Sequence, residues 1–294
     1  MSVSRSPQRW ANDLSIMLRT VLGEDRFPLD VERLALDYTA RRYPDDPIIR
    51  VRSRSLPGFE GALIPAPNPA DGWGIAYSDS ITSEGRQRFT VAHEFGHYLV
   101  HRHRYPEGFR CRQEDLLTWD SEYNRVEQEA NSFAANLLMP LDDFRAQIDR
   151  RSKPTLDEIG NTATRYGVSL TAATLRWLDY TTRRAVLVVS RDGFILWARS
   201  SAPAFKSGVY IKTAGRPPKP VPPQSLDLLS AAINDPTLRV QHPAGVWFNE
   251  PTDEHSLISD RYDLSLSLLM LPNSGPIAGT DEEATEDAFD RFTR

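Results

Sequence analysis

His93, Glu94 and His97 stand in the string HEFGH, and thirty residues beyond His97 comes EQEAN, which carries Glu127, Glu129 and Asn131. Histidines four apart on a helix lie one turn above each other, so both rings can reach one ion from one face. Zinc takes four ligands, and catalytic sites usually draw three from protein and leave the fourth position open to water. Glu94 sits one step round the helix, where a carboxylate reaches that water without occupying the metal. The third ligand must come from another segment. Glu127 is the best placed, with Asn131 four residues on and able to hydrogen-bond the outer ring nitrogen of a ligand histidine and so fix its tautomer. Glu129 competes for the ligand position, but it points about 200° round the helix from Glu127, and only one of the two shares a face with Asn131.

Helices must carry both segments. Phe89, Ala92, Phe95, Gly96, Leu99 and Val100 supply packing positions around the first, with Ser83 as its N-cap. Gly96 lowers helix propensity beside the ligands, which predicts close approach of another backbone there. From Glu122 to Leu138 the stripe Val126, Ala130, Phe133, Ala134, Leu137 and Leu138 predicts a second helix ending at Pro140.

Upstream, Trp10, Leu14, Met17, Leu18 and Val21 recur at helical spacing before Gly23, and Asp30 caps a second helix with Val31, Leu34, Ala35 and Tyr38. Runs at 48–52, 60–64 and 73–77, broken by Pro and Gly, read as strands. The expected fold class is therefore α+β. A domain that carries the zinc-site segments and a small sheet is expected over 1–150.

The strings RFTVAHEFGHYLVH and VEQEANSFAANLLMP resemble the ImmA/IrrE family of zinc metallopeptidases, over 30–140 in general layout and specifically at 88–101 and 126–140. The resemblance implies a zincin-like, gluzincin-type endopeptidase that cleaves a helix-turn-helix repressor and relieves repression of stress-response or mobile-element genes. Carried over, His93, His97 and Glu127 hold zinc and Glu94 is the catalytic glutamate. Manganese or iron also suits two histidines and a carboxylate. The chain departs from the commonest family pattern at Phe95, where Leu is usual, and at Asn131, where Asp is frequent.

In the mechanism this implies, zinc lowers the pKa of its water to about 7. Glu94 takes the remaining proton during attack and returns it to the leaving amine. A further donor beside the metal would stabilise the oxyanion, drawn from Tyr98, His101, His103, His242, His255 or an arginine.

Downstream, two helical patterns in 155–182, separated by Gly167, Val168 and Ser169, resemble a helix-turn-helix unit and define a bridge over 151–183. Its second helix offers only Arg176 before Arg183 and Arg184, which argues for a structural bridge and against direct DNA binding. Residues 184–278 read as a small α+β domain, sensor-like or substrate-recognising. It opens with a hairpin over 186–200 turned at Asp192–Gly193, followed by a helix from Leu226 to Ile233 and strands at 245–249 and 262–271. Residues 279–294 form an acidic tail.

The 294 residues, 40% of them hydrophobic, can bury a sizeable core. A net charge of -5 and a pI near 5.7 argue against a polyanion-binding surface. Cys111 is the only cysteine, which excludes an internal disulfide and predicts a bystander in a reducing compartment. Without a signal-type leader or membrane-length apolar run, the expectation is a cytoplasmic protein with no membrane contact. The alternative function is a regulatory or antitoxin-like binding module that keeps the zinc fold and acts by partner or DNA binding. Glu94 favours the enzyme, since a structural zinc site has no use for a base beside its ligands.

Overall fold

A computed structural model describes residues 5–68, 71–111, 122–213, 215–226, 228, 239–259 and 264–273. By internal packing the chain forms two units, Met1–Phe144 with Ala163–Ser169, and Arg145–Thr162 with Leu170–Arg294. Both mix helix and sheet, so the class is α+β.

In the first unit, α1 (Pro7–Leu22) starts at Ser6, whose hydroxyl accepts from the Arg9 N–H, with Pro7 at a position that lacks a helical donor role. It buries Ala11, Leu14 and Leu18, but Met17 and Val21, expected in the same stripe, face solvent. They lie off the face that α1 turns toward the core. Helix α2 (Val31–Arg42) is capped by Asp30, whose Oδ1 accepts from the Arg33 N–H at 3.0 Å.

The strands β1 (Ile48–Arg54), β2 (Gly61–Pro65), β3 (Trp73–Ser78) and β4 (Phe109–Cys111) form one sheet in the order β1-β3-β2-β4. Only the β1–β3 pair is parallel. Against this sheet packs α3 (Glu84–Val100), whose residues from Thr90 to Leu99 are all buried. A helix buried all round needs neighbours on every side. One is the sheet, and another is α4 (Glu122–Leu138). Ser83 occupies the N-cap of α3, although its side chain makes no capping bond.

The end of α3 is tied to the start of β1 through Asp46. Its carboxylate accepts from Trp73 Nε1 at 2.6 Å and from Arg102 Nε at 2.7 Å, and its carbonyl accepts from the Tyr98 hydroxyl. Because each of these donors is largely enclosed, losing the shared acceptor would leave several buried polar groups unsatisfied.

Helices α5 (Leu141–Gln147), α6 (Leu156–Tyr166) and α7 (Leu170–Leu178) follow. The division into units passes within the span 151–183, read from sequence as one bridge. The reason is Tyr166, which stacks on Phe144 at 5.6 Å while its hydroxyl and the Arg165 guanidinium both donate to Asp143. Those bonds draw Ala163–Ser169 into the first unit.

The second unit is built on an antiparallel sheet in the order β7-β6-β5-β10-β9-β8. Its strands are β5 (Ala185–Arg191), β6 (Phe194–Ser200), β7 (Lys219–Pro220), β8 (Arg239–His242), β9 (Thr252–Ser259) and β10 (Leu264–Met270). Asp192 and Gly193 make the β5–β6 turn with φ of 51° and 75°, the two positive values that a type I′ turn requires. The short α8 (Ala202–Lys206) follows the hairpin.

The expected strand at 245–249 is absent from these described residues. Gly245 takes φ 100°, its N–H donates to the Phe248 carbonyl in a tight turn, and Trp247 is buried with its indole N–H donating to Glu254. That segment folds over the sheet, and β8 and β9 flank it. The expected helix Leu226–Ile233 falls almost wholly outside the described residues, as do the acidic tail and the Cys111 side chain. No helix among the described residues is long and apolar enough to cross a membrane.

Candidate metal centre

His93 and His97 stand one turn apart on α3, with their rings at 75° and their Nε2 atoms 2.9 Å from each other. The carboxylate of Glu127 comes from α4, with Oε2 3.1 Å from His93 Nε2 and Oε1 3.3 Å from His97 Nε2. All three residues are buried. The two helices can come this close because Gly96 has no side chain: a Cβ there would lie 2.9 Å from Phe133 Cδ1 and 3.2 Å from Phe133 Cβ. The sequence predicted close approach of a backbone at Gly96. The structure puts a phenylalanine side chain of α4 there instead.

Electrostatics at the centre favour a cation. Burial would raise the Glu127 carboxyl, but hydrogen bonds from His93 and His97 hold it well below the usual carboxylate range. Burial would lower His93, yet the Glu127 hydrogen bond and the Glu94 and Glu127 charges leave it above its ordinary value. For His97, burial outweighs the Glu127 hydrogen bond and pushes the ring down to about 3. Two imidazolium rings cannot share so short a separation, so only one ring takes up a proton and the other keeps a lone pair.

The donors are two imidazole nitrogens and one carboxylate, with ligand atoms all within 4.8 Å of one another. Zinc bonds of about 2.0–2.2 Å set ligand-to-ligand separations of about 3.3–3.6 Å around a tetrahedron. The observed 2.9, 3.1 and 3.3 Å match one face of that figure after a small outward shift of the rings. The residues therefore fit a divalent ion.

A peptidase-family model described as the IrrE N-terminal-like domain matches residues 44–178. Over those residues the chain is similar to an IrrE N-terminal-like domain. The match takes in the whole sheet of the first unit, α3 and α4, and runs on through α7, beyond the span at which the sequence resemblance was specific. No curated protein matches the chain.

Within the matched span, Glu94 is fully buried on the turn of α3 between the two histidines. Asn131 is brought to His93, its Oδ1 2.9 Å from Nδ1. Glu129 is not beside Glu127's partners: its Oε2 lies 3.0 Å from His101 Nε2. His101 Nδ1 in turn lies 3.2 Å from His97 Nδ1. Sequence reasoning left His101 unranked among oxyanion donors and did not connect it to Glu129. The four-residue spacing from His97 to His101 brings the two rings together, but nothing in it announces the contact with Glu129.

Of the other residues considered for the oxyanion, Tyr98 is fully buried with its hydroxyl committed to the Asp46 carbonyl. In the second unit, His242 lies 2.7 Å from Glu254, and His255 Nδ1 accepts from the Leu156 N–H.

Proposed function

We propose that this chain is a zinc-dependent endopeptidase that cuts a helix-turn-helix transcriptional repressor in the cytoplasm and thereby releases stress-response or mobile-element genes. The observation that carries the reading is the buried His93, His97 and Glu127 cluster with Glu94 on the intervening turn. A peptidase-family domain over the same residues supports it.

His93, His97 and Glu127 would hold the metal, which when bound supplies Lewis acidity and a nucleophile at neutral pH. Manganese or iron suits the same donors. Asn131 accepts from the His93 Nδ1–H and so turns the Nε2 lone pair inward. An amide orients the ring without the added basicity that a carboxylate would give. Glu94 takes a proton from the attacking water and returns it to the leaving amine. Its side chain is completely buried, away from bulk solvent.

Partner cleavage is favoured over DNA reading by the state of the basic residues that a recognition helix would expose. Arg176 on α7 is buried, and Arg184 is buried against Glu250. The test is metal analysis of the purified chain, together with co-expression beside the repressor encoded nearest to it. Cleavage by the wild type and none by Glu94→Gln is expected. Continued cleavage by Glu94→Gln overturns the mechanism, and a chain that binds no metal overturns the whole reading.

A further inference from the structure

His93 and His97 each meet a separate outer partner. His93 has the Asn131 amide, while His97 faces another imidazole, that of His101 at the C-terminal end of α3. A histidine at a helix end is commonly just a polar cap, but this one is buried and engaged at both ring nitrogens. Its Nε2 lies 3.0 Å from Glu129 Oε2, and Arg125 Nε donates to Glu129 Oε1 at 3.0 Å. The ring of Phe109, stacked on His97 at 4.1 Å, closes the other side.

The chain of bonds has one consistent direction. If His97 turns the Nε2 lone pair to the ion, its Nδ1 carries the hydrogen, and His101 Nδ1 must accept it. His101 then carries its own hydrogen on Nε2 and donates to the Glu129 carboxylate. Glu129, an acceptor only, cannot reverse that order. The competitor for the metal on α4 thus acts two bonds away from it.

We propose that His101, held by Glu129, is the positioning residue that fixes the tautomer and ring orientation of His97 for metal binding. This inference rests on the metal-centre reading given above. Outer partners of ligand histidines commonly change metal affinity by about 10–100-fold when removed.

Zinc affinity of the purified full chain, measured by competition with a chromophoric chelator, tests it. His101→Phe keeps the packing against Phe109 and deletes both nitrogens. It is expected to weaken zinc about 10–100-fold and to shift the ligand-field bands of the cobalt-loaded chain. His101→Asn places an acceptor where Nδ1 stood but does not reach Glu129, and it should recover most of the affinity. Glu129→Ala should weaken zinc in the wild-type background and have no further effect beside His101→Asn. Should His101→Phe fail to fold by circular dichroism, the half-exposed Glu129→Ala decides the matter. Wild-type affinity and an unmoved cobalt spectrum in both variants overturn the inference alone, whereas a wild-type chain that holds no zinc overturns the metal-centre reading as well.

Discussion

The bare Cα of Gly61 on β2 faces the carboxylate of Glu94 on α3. A Cβ built on Gly61 would overlap Glu94 Oε1 and lie 2.7 Å from Thr90 Cγ2. Gly61 is ordinary strand, paired with Tyr77 on one side and Cys111 on the other, so the position uses the absence of a side chain and not a special φ. Gly61→Ala should therefore displace the Glu94 carboxylate while His93, His97 and Glu127 stay in place. We expect turnover to fall by about 10²-fold, the usual result of misplacing a reacting group by about 1 Å, with bound metal unchanged. Wild-type kcat in Gly61→Ala would show that the slot does not position Glu94.

That slot marks where the sequence stopped being readable. Helical periodicity alone places His93 over His97 and Glu127 over Asn131, because both members of each pair ride one helix. The strands at 48–54, 61–65 and 73–78 were legible from their Pro and Gly boundaries, and the β5–β6 hairpin from Asp192 and Gly193. What the sequence does not encode locally is which strand neighbours which. The order β1-β3-β2-β4 sets Gly61 against Glu94, and nothing around position 61 announces it. The same holds for His101 and Glu129, whose contact depends on how α3 and α4 align. At 245–249 the apolar run GVWFN imitated a strand, but Trp247 is buried in the core with Val186, Val188 and Leu269, its indole N–H donating to Glu254, and does not continue a sheet.

Gly96 should be intolerant of branched side chains. Phe133 Cβ would stand 3.2 Å from a Cβ at this position, and the Phe133 ring is fully enclosed, with Phe95 edge-on at 5.7 Å. Gly96→Val adds volume to a packed helix contact, which costs about 1–3 kcal/mol. Urea unfolding of the metal-free chain measures this without the metal's contribution. A midpoint equal to or above the wild type would show that α3 and α4 have room to part.

Removing the metal should lower stability, because an ion that binds only the folded chain contributes through mass action. At a free ion concentration about 1,000 times Kd the contribution is about 4 kcal/mol. Thermal unfolding with saturating zinc and after exhaustive chelation gives the comparison. The same comparison on Glu127→Gln, which loses the charged ligand, should show most of the zinc-dependent shift gone. Identical unfolding temperatures for the wild type in both conditions would contradict a metal held by His93, His97 and Glu127.

Acid should weaken the second unit through His255. Burial, and then the Arg239 charge, hold this imidazole below its ordinary value, with Asp157 opposing. Its Nδ1 accepts from the Leu156 N–H at 3.0 Å, a bond that only the unprotonated nitrogen can make. The unfolded chain, with an ordinary pKa near 6.5, takes up this proton before the folded chain does. The contribution is therefore complete above about pH 6.5 and is lost as pH falls below it, with a slope of up to about 1.4 kcal/mol per pH unit. His255→Asn keeps an acceptor near the Nδ1 position but cannot titrate. Between about pH 7.5 and about pH 5 the variant should lose less stability than the wild type in denaturant unfolding. Parallel losses would mean that His255 titrates alike in the folded and unfolded chains and that the Leu156 bond does not hold it neutral.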